Sequence, residues 1–488
     1  MSQQRLQVPR VGLPVSPPAE VRSMARSRFR LTSALLTGLL IVVGLRGVTL
    51  CLHPQEKTLR AASIQRWDQV TLRGQRGEVL DRNGRRLATS VITPNIVVDP
   101  ALIEPEDVDS LVQQVAEVLD LNPLDVAAKM KRDSRYARLA MRVHPSVVAK
   151  IKSLNHRALW AERDSRRYYP EGMLASQLLG FVDGSGIGRE GLEASFNNYL
   201  RGSSVLLQRR RDRRGLDVDG PVGAGARVNQ GMTVHTTIDR TLQHIAERAL
   251  AGVVEKHEPK SASAIVVDVT TGDILVLANA PAFNPNNVGS DPAPRRNHIV
   301  QDAVEPGSVF KPFTLAAAIE EGLVFQNTIV DCEGGAWYVG RSRIRDDHPH
   351  RLITVKEVMK YSSNICSAKL AMQLGPETFL RYIDDFGFGQ TTGIPLPGER
   401  RGVVRDADKI KPIELATTSF GQGTTTTMLQ LAMGIAAIAN NGVRMRPRLV
   451  TEVLDVHGVP EVVQRPEAVK RVLSAKTAAT IADMMVSV

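Results

Sequence analysis

Cysteine is scarce: three residues, Cys51, Cys332 and Cys366, in a chain of 488. That excludes a small scaffold stapled by disulfides. Aromatic residues make up only 4%, which leaves few stacking platforms for single-stranded nucleic acid. Collagen-like and solenoid repeats are absent as well. Basic excess is lacking outside two places. The net charge is +11; the first 30 residues hold +5 of it, through Arg5, Arg10, Arg22, Arg26, Arg28 and Arg30 against Glu20, and the run Arg209 to Arg214 holds +4. A nucleic-acid face spreads its basic residues over a surface, so nucleic acid is not an expected partner. What is present, 43% hydrophobic and 23% charged residues, is the composition of globular protein. The length allows two to four domains, each with its own core.

The basic tail (1–30), with Pro9, Pro14, Pro17 and Pro18, reads as disordered. Leu31 to Leu52 follows, apolar except for Arg46. As a helix it would span about 33 Å, enough for a bilayer core, and Arg46 could snorkel to the headgroups. The arginines before it should stay cytoplasmic and everything after Leu52 outside. There is no A-x-A-like cleavage site, Arg46 is foreign to a signal-peptide core, and bulky Leu50 precedes Cys51 where a lipoprotein needs a small residue. An uncleaved transmembrane signal-anchor over 31–52 is therefore expected.

From Trp67 to Val228 short β-like runs, turns and amphipathic helices suggest an α+β module. Asp81-Arg82-Asn83-Gly84 is a turn signal. Glu106 to Leu119 lines Val108, Leu111, Val112, Val115 and Leu119 on one helical face. A second module runs from Met232 to Val488. Asp239 can cap a helix that turns Leu242, Ile245, Ala249, Leu250 and Val253 inward. Ala264 to Val269 and Asp273 to Ala278 flank Thr270-Thr271-Gly272 as a β-hairpin. Helical patterns dominate thereafter.

Two short segments could carry chemistry. In Glu305-Pro-Gly-Ser-Val-Phe-Lys-Pro312, proline is tolerated only in a helix's first turn. The helix should therefore start near Ser308 and place it at the positive helix end. Lys311 follows one turn later on the same face. A serine hydroxyl needs a base, and a desolvated lysine can be one; an N-cap serine with a solvated lysine would leave the same signature. Ser362-Ser363-Asn364 sits between two helical stretches, Val355 to Tyr361 and Ile365 to Leu374. It sets a hydroxyl beside an amide, although turn chemistry alone also favours these residues.

The order hairpin, EPGSVFKP, YSSN resembles the penicillin-binding protein and serine β-lactamase superfamily. Further segments narrow the resemblance to class B penicillin-binding proteins. Arg73 to Glu78 with Asp81 to Gly84, Arg167 to Pro170 with Leu178 to Phe181, and Gly188 to Glu193 are similar to the three pedestal motifs. Asn284 to Asn287, Phe420 to Gly423 and Ala439 to Gly442 are similar to transpeptidase-domain landmarks. The likeness is greatest to the cell-division members, with the elongation type as nearest rival. It implies an N-terminal pedestal (dimerisation-type) domain, 67–228, and a transpeptidase domain, 232–488, whose central antiparallel sheet is flanked by helices. It implies a septal peptidoglycan DD-transpeptidase in the bacterial inner membrane, with its catalytic domain in the periplasm. Ser308 would be acylated by a D-Ala-D-Ala stem peptide, with Lys311 as general base. Ser362 would relay protons and Asn364 would bind the substrate amide. Stem peptides, β-lactam antibiotics and division-complex membrane proteins, including a lipid II polymerase, are the implied partners. No cofactor or metal is implied.

One landmark is missing. The family's third motif, K-[TS]-G, does not occur; Lys476-Thr477-Ala478 lies in a helical pattern instead. The expectation is a C-terminally truncated enzyme that lacks the last sheet strands and is inactive as printed. A β-lactamase, or a non-catalytic β-lactam sensor or division scaffold, stays open as an alternative. Other readings are plainer. Gly186 to Gly191 matches G-x-G-x-x-G, but Glu190 and Glu193 would repel a pyrophosphate. Asp346 to His350 reads as a polar turn rather than a metal site, Arg209 to Arg214 as a solvated loop, and Cys332 and Cys366 as unpaired.

Overall fold

The computed structural model describes residues 19–52, 67–211, 217–222 and 230–488, in two units. The first unit comprises Met1–Leu72 and Val205–Arg227. Its helix α1 (Ala19–Leu52) holds the apolar span, Arg28–Thr49, which has a mean hydropathy of 1.9 and is long and apolar enough to cross a membrane. The helix begins at Ala19, so disorder through residue 30 is corrected. After Pro18 no proline or glycine interrupts the chain before Gly38, and the arginines there are good helix formers. Pro9, Pro14 and Pro17 lie outside the described residues. Three strands, Trp67–Arg73, Ser204–Arg211 and Asp217–Val222, pair in that order. The arginine run is therefore strand up to Arg211, not loop. Ser204, Val205, Leu206 and Leu207 lead the strand, and a ladder is bonded through the backbone whatever the side-chain charge. Asp212 to Arg214 lie outside the described residues.

The second unit, Arg73–Ser204 with Val228–Val488, is stitched together by one sheet. Its strands are β1 (Val79–Leu80), β2 (Arg86–Val98), β3 (Ala137–Ala140), β4 (Leu159–Tyr168), β5 (Thr233–Thr236), β8 (Val450–Leu454) and β9 (Pro460–Val463). The order is β9-β8-β5-β1-β2-β3, with β4 also on β2. The tight turn between β1 and β2 follows from Asp81, whose carboxylate accepts the N–H groups of Asn83 and Arg85, and from Gly84 at φ +77°. Helix α2 (Val108–Leu119) buries Leu111, Val112 and Val115, as its period requires.

Helix α3 (Arg240–His257) is capped by Asp239, which accepts from Thr241 and Leu242 N–H. Its inward face is only partly the expected one. Leu250 is buried as expected, but Leu242, Ile245 and Val253 are 40–49% exposed, and Gln243, Ala246 and Val254 face inward in their place. Gln243 wins because its amide bonds both the N–H and the C=O of Leu277, and a buried polar group so satisfied costs little. Leu277 belongs to the hairpin of β6 (Ala262–Val267) and β7 (Ile274–Ala280), in register Leu277 to Ile265. These two strands form a sheet of two, with the outer edge of β6 unpaired among the described residues.

Helix α4 (Lys311–Glu320) is buried nearly all round and runs through the largest core. Phe310, Phe313, Phe386 and Phe388 cluster at its start, with centroids 4.8–5.4 Å apart. Helix α5 (Asn364–Leu374) packs beside it. Helix α6 (Met428–Ala439) and helix α7 (Ala475–Met485) complete the layer; Thr477 and Ala478 are buried on α7, so Lys476 to Ala478 is helix. Cys332 and Cys366 form a disulfide, Cα to Cα 5.1 Å, contrary to the unpaired expectation. A spacing of 34 residues says nothing about distance; the fold of the intervening hairpin brings the ends together. Removing that cross-link by Cys332→Ser should cost about 3–4 kcal/mol from loop closure alone. Urea midpoints with and without reductant would check this, and equal midpoints would show the bond to be energetically idle.

Candidate active site

Gly307 sits at φ +61° and bends the chain into a 3-10 turn, Gly307–Phe310, that continues into α4 at Lys311. Pro312 falls in the first turn, where no N–H is missed. Ser308 is exposed at this helical start. Gly421, from the Phe420 to Gly423 landmark, presses on the same turn and accepts the N–H of Gly307 at 3.0 Å. A Cβ at Gly421 would stand 2.2 Å from Gly307 O, so only glycine fits there.

Lys311 is 2% exposed. Its Nζ lies 3.2 Å from Ser308 Oγ and 2.8 Å from Ser362 Oγ, and it also donates to the carbonyl of Ser362. Burial pulls this lysine down to about 8, while Asp346 and Asp347 pull the other way. Ser362 has φ +56°, unusual for a residue with a side chain; in that conformation its hydroxyl and carbonyl both meet the lysine. The structure thus brings Ser308, Lys311 and Ser362 together. Asn364 opens α5 next to them, its Nδ2 held by the carbonyl of Arg345 at 2.9 Å.

Sequence reasoning gave Asp346 no role beyond a polar turn, yet it organises the loop. One carboxylate oxygen accepts the N–H groups of Asn364 (2.6 Å) and Ile365 (3.0 Å); the other accepts the hydroxyl of Ser363 (2.5 Å). Ser363 in turn caps α5 by accepting from Cys366 N–H at 3.1 Å. Nothing local signals this, because Asp346 lies 17 residues before its Ser363 partner. His350 stacks on Tyr361 at 4.3 Å. Asp346→Asn keeps one acceptor oxygen where two are used, so either the Ser363 hydroxyl or the Asn364 and Ile365 N–H groups lose theirs, at a cost of about 1–2 kcal/mol. It also removes a negative charge that favours protonated Lys311, so the pH midpoint of acylation should fall. An unmoved midpoint would reduce Asp346 to scaffolding.

Comparison with known proteins agrees along the chain. Residues 262–488 match the penicillin binding protein transpeptidase domain, and residues 71–236 the penicillin-binding protein dimerisation domain. A probable peptidoglycan D,D-transpeptidase PenA of Neisseria meningitidis is 32% identical over 422 residues, which is 86% of this chain and 70% of that protein. Peptidoglycan D,D-transpeptidase FtsI of Escherichia coli is 32% identical, covering 85% of this chain and 69% of that protein. Among solved structures, a peptidoglycan synthetase from Bifidobacterium adolescentis superposes with a TM-score of 0.69 at 29% identity, over 86% of this chain and 82% of that one. Penicillin binding protein 3 of Mycobacterium tuberculosis, complexed with aztreonam, gives 0.63 at 27% identity, over 85% and 75%. With a dimerisation module, a transpeptidase module and a lysine set between two serines, the chain belongs to the class B penicillin-binding proteins.

Proposed function

We propose that this protein is a serine-type peptidoglycan D,D-transpeptidase of septal wall synthesis and a β-lactam target. The observation that carries this is Lys311 Nζ standing between the hydroxyls of Ser308 and Ser362. Neutral Lys311 takes the Ser308 proton as Oγ attacks the carbonyl of the penultimate D-alanine. The backbone N–H of Ser308 supports the developing oxyanion, the largest electrostatic contribution in such reactions. Ser362 relays the proton to the leaving amine, the C–N bond breaks, and D-alanine departs. The amine of a second stem peptide then attacks the acyl-enzyme and releases Ser308 Oγ. Asn364 has its Nδ2 engaged, so its Oδ1 is the end offered to a substrate N–H. A β-lactam enters by the same attack on its strained carbonyl.

The positive-inside argument supports a periplasmic catalytic domain, and the FtsI likeness supports work beside division-complex membrane proteins, a lipid II polymerase among them. Residues 1–488 by themselves should be inactive. They have no K-[TS]-G triplet, the outer edge of β6 has no neighbour among the described residues, and the apolar stripe of α3 is open. Loss of one oxyanion donor costs roughly a hundredfold to a thousandfold. The test is a chain extended by a family member's K-[TS]-G segment and given a donor peptide ending in D-Ala-D-Ala. One D-alanine should be released per cross-link formed. If no release occurs while the protein is folded, the proposal fails.

A further inference from the structure

Far along the chain from Ser308, Arg76 and Arg167 are buried together, their side chains 7% and 5% exposed. Both bond one fully buried carboxylate: Arg76 Nε meets Glu193 Oε2 at 2.6 Å and Arg167 Nε meets Oε1 at 2.6 Å. Tyr169 OH adds a contact to Glu193 at 3.3 Å. Two buried cations therefore share a single anion. Among the described residues, Arg167 Nη2 finds no hydrogen-bond partner at all. Burial lowers the pKa of Arg76, Glu193 pulls it up, and Arg167 pushes it down again. The pair is short of negative charge, and an uncompensated buried charge is costly.

A cavity of about 100 Å³ opens beside them, lined by Arg76, Arg142, Arg166, Arg167, Ser165 and Asp183 among others. Asp183, the one acid in that lining, is already held by Arg189 at 2.7 Å. Arg166 donates to the carbonyl of Asn286 at 2.9 Å, and the Arg142 side chain makes no hydrogen bond among the described residues. Neither of these two forms an ion pair there. Four arginines from three chain segments thus line or flank a small polar space, with Glu193, shared by two of them, and Asp183, already paired with Arg189, as the acids there. A planar monoanion would leave charge over, whereas a tetrahedral dianion suits several guanidiniums approaching from different sides. The volume is too small for a nucleotide or sugar, whose pockets run to roughly 300 Å³ and above. It is large enough for one oxyanion with a water or two.

We propose that this pocket binds a single phosphate-type oxyanion, which supplies the counter-charge missing from the Arg76–Glu193–Arg167 cluster. Asn286 exchanges bonds with Tyr169 N–H and C=O, at 3.0 and 2.9 Å, on the same wall. The anion therefore reinforces the seam where the segment after β7 meets β4. Its source is either free phosphate or the phosphomonoester of a lipid headgroup.

The test uses the 488-residue chain in detergent, with phosphate replacing chloride at constant ionic strength and pH. The unfolding midpoint should rise and saturate with phosphate. Arg142→Ala, which removes an exposed side chain and should fold as judged by circular dichroism, should raise the half-saturating phosphate concentration about tenfold or more. Arg142→Glu, which brings its own carboxylate, should raise the phosphate-free midpoint and abolish the response. A parallel titration uses dihexanoyl phosphatidic acid below its micelle concentration. A response to it at lower concentration than to phosphate assigns the site to a headgroup; a response to phosphate alone assigns a free anion. If phosphate does no more than chloride, or Arg142→Ala keeps the full response, the site does not exist.

Discussion

Ser308→Ala is expected to abolish covalent labelling by a fluorescent penicillin, in a chain extended by a family member's K-[TS]-G segment. The reason is geometric: Ser308 Oγ is the exposed hydroxyl beside Lys311 at the helical start, whereas Ser362 Oγ is the half-buried one. Ser308 is exposed at the start of a 3-10 turn that Gly307 and Gly421 shape through their backbones. Losing its hydroxyl should therefore cost the fold at most about 2 kcal/mol. Intact-mass spectrometry after long incubation gives the readout. The parent should gain the mass of one drug molecule and the alanine variant none. An adduct that persists in a folded variant would put the nucleophile elsewhere and remove the basis for the mechanism.

Lys311→Arg should be nearly as damaging, with acylation slowed by about 10²–10⁴, the usual worth of a general base. Arginine keeps the positive charge but has no neutral form to accept the serine proton. It must also fit where lysine is 2% exposed, so Lys311→Met serves as a second variant that is smaller and uncharged. Both should lose the reaction. The parent's pH dependence follows from burial. Only neutral Lys311 can take the proton, and burial pulls its pKa from near 10.5 to about 8. The acylation rate should therefore climb with pH below about 8 and level off above it. A flat profile between pH 6 and 9, or an arginine variant reacting at the parent rate, would take the base role away from Lys311.

Much of this site could be read from the chain because its signals are local. Pro312 demands a first turn, Gly307 allows the bend, and three residues of helical spacing put Lys311 under Ser308. The two helices around Ser362 to Asn364 were legible from their periods, and the β6–β7 hairpin from Thr270-Thr271-Gly272, although its strands start and end one or two residues away from the expected limits. Resemblance supplied the family on motifs of the same local kind. Misreadings arose wherever two distant segments had to meet. On α3 two stripes competed at nearly the same period; the choice fell to Gln243 because Leu277, 34 residues on, offered its N–H and C=O.

The sequence by itself determined the apolar span, the order of the modules and the placement of serine and lysine on one helical start. Each is a matter of composition, turn chemistry or a 3.6-residue period within a short window. Only the tertiary structure decided that Cys332 meets Cys366, that Asp346 caps α5, that β8 closes onto β5 and that four arginines surround one small pocket. Those pairings join residues between 17 and 221 positions apart. No local pattern encodes them, because a contact at long separation is selected by how the whole core packs and by which buried polar groups must find partners.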